Sequence, residues 1–326
     1  MNRQLGLFGE PSIEANVTDE DRAIAARVPR WIHFGTSSWS FPGWKGIVWR
    51  GSPNEQELAR HGLGALATHP LFRTVGLDRS YYGPLREEEL AAYAEQLDDA
   101  ARRAPGLPPF RIVSKVWDEI TTAVYPRHAK YGARAGTGNP HFLDVDRFLS
   151  EVLAPYRALG AYTGPFVFEL TPMPRGAMTE EQLVARVDAF LGRLPTGFRW
   201  AFELRNEELF GARWLDMLRA NGAAHVYNFW TAMPSIREQL AKGAPSRFVV
   251  ARLMLPRYMR YEAQKAEYAP FDRLVAPQSE MRDDVADLLR AAEAADVEDA
   301  FVIVNNKAEG SSPLTVRALA ARFTSP

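Results

Sequence analysis

Two stretches of the chain end alike, VFEL at 167–170 and AFEL at 201–204, and each sets a glutamate, Glu169 or Glu203, inside an apolar run. If the two runs lie side by side in register, the carboxylates are close neighbours. Two carboxylates held close resist double ionisation, so one would keep its proton and serve as an acid. Lys115 in VSKV, Arg205 just past Glu203 and Arg252 in VARL offer the opposite outcome, in which cations neutralise both. The spacing leaves both outcomes open, and Glu203, Lys115 and Glu169 are the candidate catalytic set. Other apolar runs end in Asp78 to Tyr82, in Asn228 and in Asn305 to Lys307, while TSSWSFPGWKG presents Trp39 and Trp44. The candidate ligand-binding set is therefore Trp39, Trp44, Tyr81, Tyr82, Arg205, Asn228, Arg252, Asn305, Asn306 and Lys307. Rings that stack, cations that hold negative charge and carboxylates that move protons suit a small polar or anionic ligand, phosphate- or sugar-containing. Glycoside hydrolysis is one version, since it uses paired carboxylates. Gly310-Ser311-Ser312-Pro313 ahead of a helix offers backbone N–H groups to an anion, or simply a serine cap with proline in the first turn.

These residues need elements that bring run ends together. Runs apolar enough to be strands fall at 31–36, 71–77, 110–116, 164–170, 198–204, 223–229, 247–253 and 300–306, and helical patterns alternate with them. Asn54 with Glu57 and Thr179 with Gln182 read as capping boxes, and Pro84 suits the first turn of a helix reaching about 104. Further helices are expected from Asp144, near 212–220, over 280–295 and from about Pro313. Eight strands, each followed by a helical segment and buried on both faces, specify an α/β fold, a (β/α)8 TIM barrel, with its site at the carboxyl ends of the strands. An open doubly wound sheet is the alternative, but no GxGxxG follows the first strand. Two long excursions, 117–142 and 253–280, leave from those same ends. They carry Tyr125, Arg127, Lys130 and Tyr131 in one and Arg257, Tyr258, Arg260 and Tyr261 in the other. They are expected to cover the mouth, with a composition that suits phosphates or stacked bases as well as plain loop packing. Residues 1–28 read as a flexible tail and 29–326 as the barrel domain.

A net charge of −1 argues against a nucleic-acid surface over the whole molecule and leaves a local basic groove open. Cysteine is absent, which removes disulfides, thiolate metal sites and a cysteine nucleophile and fits a reducing cytoplasm. The six histidines are scattered, so neither a metal nor another cofactor is expected. No GxSxG or HExxH occurs, no run is long enough to span a membrane, and no secretory apolar core opens the chain. The polar start carries one apolar island, Gln4-Leu5-Gly6-Leu7-Phe8.

The opening GTSSWSFPGWKG, TVGLDRSYYGP, VSKV, AFELRN and the closing VNNKAEGSSPLTVRAL together resemble the YecE-like family, a family of unknown function with a TIM-barrel fold, over nearly all of residues 30–326. The resemblance implies the fold and, by match of position, carries over Trp39, Tyr81, Lys115, Glu203, Arg252, Asn305 and Asn306. The chain departs from the family pattern at Gly76, where the family has an acidic residue, at Glu169, where it has glutamine, and near Asn206, where it has histidine. Arg252 is followed by LMLP instead of an Arg-x-His-Gly type ending. Separately, QLGLF resembles the pentapeptide Gln-Leu-Ser/Asp-Leu-Phe by which bacterial proteins dock on the DNA sliding clamp. That resemblance makes Gln4, Leu5, Leu7 and Phe8 candidate partner-binding residues and implies a role in DNA metabolism as the alternative to an enzyme.

Overall fold

A computed structural model describes residues 13–256 and 266–324. Eight parallel strands, β1 (Ile32–Thr36), β2 (Thr74–Leu77), β3 (Arg111–Lys115), β4 (Thr163–Glu169), β5 (Trp200–Glu203), β6 (Ala224–Phe229), β7 (Val249–Leu253) and β8 (Ala300–Val304), close into a barrel in chain order. β8 returns to β1 through Ile32↔Ala300 and onward to Thr36↔Val304, so the sheet has no free edge, and the open sheet is excluded.

The helices start where their caps direct. α2 (Glu55–Ala67) and α6 (Glu180–Leu191) open on the capping boxes of Asn54 and Thr179. α3 (Glu87–Arg103), α7 (Ala212–Ala220), α9 (Ser279–Ala294) and α10 (Ser312–Phe323) coat the barrel, and the stretch after Asp144 forms an irregular helix, α5, to Ala158. Two short helices that periodicity is too brief to announce also occur, α4 (Asp118–Thr121) and α8 (Ile236–Ala241).

The expected tail is corrected over residues 13–28. Thr18 caps a further helix, α1 (Asp19–Arg27), and Ile24 and Val28 are buried. Asp21 has no exposure. It receives Arg317 Nε at 2.8 Å and lies 3.7 Å from His69 Nε2, which ties α1 to α10 and to the loop before β2. The charged letters of DEDRAIAAR disguise a helix whose one buried acid faces a cation.

Period-two alternation fills the interior. Val113, Val167, Ala201, Val226, Val250, Phe301 and Ile303 form one inward cluster, while Phe166, Phe168, Phe202, Val249 and Val302 face the helices. Two residues further along the same inward face stand Lys115, Glu169, Glu203, Asn228, Arg252 and Asn305. Gly35 is required here, because a Cβ on it would sit 2.0 Å from the carbonyl oxygen of Thr74.

Candidate functional site

The register between β4 and β5 pairs Glu169 with Glu203, which makes the two glutamates neighbours. What they face decides their chemistry. Arg252, fully buried, donates from Nη1 to Glu169 Oε2 at 2.7 Å and to Glu203 Oε2, and from Nη2 to Asp78 Oδ1 at 3.3 Å. Lys115 Nζ and Arg205 Nη2 each lie 2.8 Å from the same Glu169 Oε2, and Arg205 reaches Glu203 Oε1 through Nε at 3.1 Å and Nη2 at 3.0 Å. Three carboxylates and three cations from five strand ends thus form one network.

Burial alone would push the Glu169 carboxyl up. Arg205, Lys115 and Arg252 outweigh it and hold the group well below the usual carboxylate range. Burial would likewise lower Arg252, and Glu203, Glu169 and Asp78 hold it above its ordinary value. Of the two outcomes open from the sequence, neutralisation prevails over proton retention at Glu169. Among the described residues no group of His, Asp or Glu is arranged to hold a metal ion.

The network is layered by exposure. The side chain of Glu203 is 0% exposed and that of Glu169 5%, whereas Lys115 keeps 11%, Arg205 10% and Asp78 33%. The glutamates are therefore the floor, and Lys115, Arg205 and Asp78 are the face. Aromatic rings flank that face. Lys115 Nζ lies 3.8 Å over the Tyr81 ring, and the Arg205 guanidinium lies 4.0 Å over Trp230. The Tyr81 hydroxyl is 3.1 Å from Thr171 Oγ1, and burial followed by the charge of Glu169 raises its pKa above the usual phenol range. Tyr82 stands out into solvent beside it.

Other sequence candidates fall elsewhere. Trp44 is fully buried, between Phe41 and Trp49 with its indole N–H donating to Asn306 Oδ1 at 3.3 Å, and it has no surface to offer a ligand. Asn306 is a bracket for the last turn, its Oδ1 also accepting from Ser312 N and Ser312 Oγ, each at 2.8 Å. That bond uses the first free N–H of α10, so the Gly-Ser-Ser-Pro turn reads as a cap. Asn228 is buried and spends its amide on the Leu204 carbonyl at 2.7 Å. Asn305 stays near the mouth, bridging Ser37 Oγ at 2.9 Å and the Lys307 backbone N–H at 3.0 Å, with Lys307 Nζ 3.4 Å away. Asp78, Thr171 and Trp230 join the site from outside the candidate set. Asp78 carried the right signal, a carboxylate at a strand end, but Thr171 and Trp230 lie one or two residues past their strands, where periodicity says nothing.

The first excursion is pinned rather than open. Lys130 Nζ meets Asp118 Oδ2 at 2.5 Å, Arg134 Nη1 meets Glu119 Oε2 at 3.1 Å, and Tyr125 and Tyr131 are buried. Arg257, Tyr258, Arg260 and Tyr261 of the second, and Gln4, Leu5, Leu7 and Phe8, lie outside the described residues. Among the described residues no helix is long and apolar enough to cross a membrane.

A family model described as "Protein of unknown function DUF72" matches residues 33–326. A DUF72 family protein from Enterococcus faecalis V583 is 16% identical, with 90% of this chain and 95% of that chain covered at a TM-score of 0.57. Another, from Thermotoga maritima MSB8, is 16% identical, with 90% and 97% covered at 0.55. At such identity the likeness establishes the barrel fold. The chain matches no curated protein.

Proposed function

The chain belongs to the DUF72 family, and from the geometry of its barrel mouth we propose that it is an enzyme acting on a small polar, anionic substrate, phosphate- or sugar-bearing, held at the carboxyl ends of the strands. The observation that carries this reading is the convergence of Lys115, Arg205 and Arg252 on one oxygen of Glu169. Charge-assisted donors fixed in advance by a buried carboxylate hold an arriving anion without reorganising. Lys115 and Arg205 supply those donors, because an ammonium has three N–H groups and a guanidinium five. Tyr81 and Trp230 form the side walls.

Glu169 and Glu203, the candidate acid and base, take a different role here. Glu169 stays ionised and Glu203 is sealed from solvent, so both position cations. Proton transfer falls to Asp78 and Lys115, the groups of the cluster that combine exposure with chemistry. Calorimetric titration with inorganic phosphate tests the reading. Lys115→Ala or Arg205→Ala is expected to weaken binding by about 10- to 100-fold, the worth of one charge-assisted hydrogen bond. Affinity unchanged in both variants would remove the site. Native mass spectrometry of co-purified molecules then separates an enzyme from a non-catalytic binding protein, since only the former accumulates a product.

A second reading, docking on the DNA sliding clamp, rests on the letters Gln4-Leu5-Gly6-Leu7-Phe8 alone. A peptide of residues 1–12 should bind the clamp with roughly micromolar affinity and lose it when Leu7 and Phe8 become alanine.

A further inference from the structure

Beside the ion network, between the ends of β1 and β2, lies a cavity of about 190 Å³. Its walls are chemically mixed. Ser37, Ser38 and Ser40 bring hydroxyls, Trp39 and Tyr93 bring rings set edge to face 5.4 Å apart, Asp78 brings its carboxylate, and Arg79 brings a guanidinium that is paired with Glu89. Asp78 belongs to both places, since its Oδ1 also receives Arg252 at 3.3 Å. The indole N–H of Trp39 is buried and meets no acceptor among the described residues, an uncommon state for a buried donor. The Cδ1 edge of that indole faces α2, where a Cβ on Gly62 would come within 3.2 Å, one turn from Ala59 in the cavity wall.

A space of this size is too small for a drug-sized molecule, which fills about 300–1,000 Å³, and fits a single ring. Hydroxyl donors, a carboxylate acceptor and an indole face are the groups that recognise a ring bearing several hydroxyls and no charge of its own. A second anion there would meet Asp78, while the Arg79 cation in the same wall is already engaged by Glu89.

We propose that this cavity is the sugar subsite of the mouth, so that the substrate class is a sugar phosphate. The ring sits between Trp39, the serines and Asp78, and the phosphate lies on Lys115 and Arg205. The inference rests on the anion-binding reading above, and it assigns to Trp39 and Asp78 the choice of what the anion is attached to. A ring hydroxyl donates to Asp78, and another supplies the acceptor that the Trp39 N–H lacks.

The test compares three probes on the full chain by calorimetry: inorganic phosphate, ribose and ribose 5-phosphate. Ribose 5-phosphate is expected to bind at least about tenfold more tightly than phosphate, the worth of one hydrogen bond to a carboxylate. Ala59→Trp, on the exposed side of α2, fills the cavity from its wall. It should erase that advantage and leave phosphate affinity as it was, with an unchanged melting temperature showing that the variant folds. Asp78→Asn should lower the advantage less. An advantage that is absent, or that survives Ala59→Trp, overturns the subsite while leaving the anion site standing. If ribose and ribose 5-phosphate bind equally, with sensitivity to Ala59→Trp and none to Arg205→Ala, the subsite stands and the anion site falls. No binding of any probe overturns both.

Discussion

Arg252 holds three carboxylates at once, and it does so with no exposure to speak of. Replacing it with methionine leaves Glu169, Glu203 and Asp78 partly uncompensated in a buried place, which should cost about 3–5 kcal/mol of folding stability in chemical denaturation. The double variant with Glu203→Gln should recover part of that loss. Glu169 gives a pH signature. Its folded pKa lies below its unfolded one, so its ionised form favours the fold at any pH above the ordinary value of about 4.3. That contribution disappears as pH falls through the lower folded value. The stability gap between the natural chain and Glu169→Gln should therefore hold steady above about pH 5 and narrow progressively as pH falls below the ordinary carboxyl value of about 4.3; a gap that widens on acidification would contradict the assignment. Trp44 belongs to the core. Trp44→Ala should lower stability by about 3–5 kcal/mol and act on ligand affinity only through the fold.

At the scale of elements, the inward face of each strand does two jobs with one period. Below, Val113, Val167, Ala201 and Val250 fill the barrel; two residues on, Lys115, Glu169, Glu203 and Arg252 line its mouth. Apolar runs ending in a polar letter make that arrangement readable from the sequence, and the capping boxes at Asn54 and Thr179 make the helix starts readable. α1 is not, because its apolar face is short, Ile24 and Ala25 alone, and the third residue it buries is an aspartate. Asp21→Ala should cost about 1–3 kcal/mol by leaving Arg317 without its buried acceptor, seen as a lower denaturation midpoint. The segment after β3 is held in place by ion pairs. Its long aperiodic letters suggest a lid, yet Asp118–Lys130 and Glu119–Arg134 fasten it. Limited proteolysis should find it resistant in the natural chain and more readily cut in Glu119→Gln, whether or not a ligand is present.

At the scale of the molecule, a chain of net charge −1 gathers three cations and three carboxylates at one end of a closed barrel. Overall charge does not register such a cluster, because its opposite charges balance, which is why composition excludes a broad basic surface without revealing where charged groups gather. The fold was legible because eight strand–helix alternations leave few alternatives. The site was legible as a set of strand ends and only partly as individual residues. Type and position cannot tell a tryptophan in the mouth from one in the core, as Trp39 and Trp44 show, nor an asparagine that faces a ligand from one that brackets a turn. Whether the glutamates act or merely hold depended on three cations from separate strands meeting one oxygen, a coincidence that no local pattern encodes. The central claim is that this meeting point presents Lys115 and Arg205 to an anion. Its most direct measurement is the affinity of inorganic phosphate for the natural chain and for Arg205→Ala across ionic strengths. The account predicts saturable binding that weakens with salt and falls by about 10- to 100-fold in the variant; equal affinity in the two proteins would contradict it.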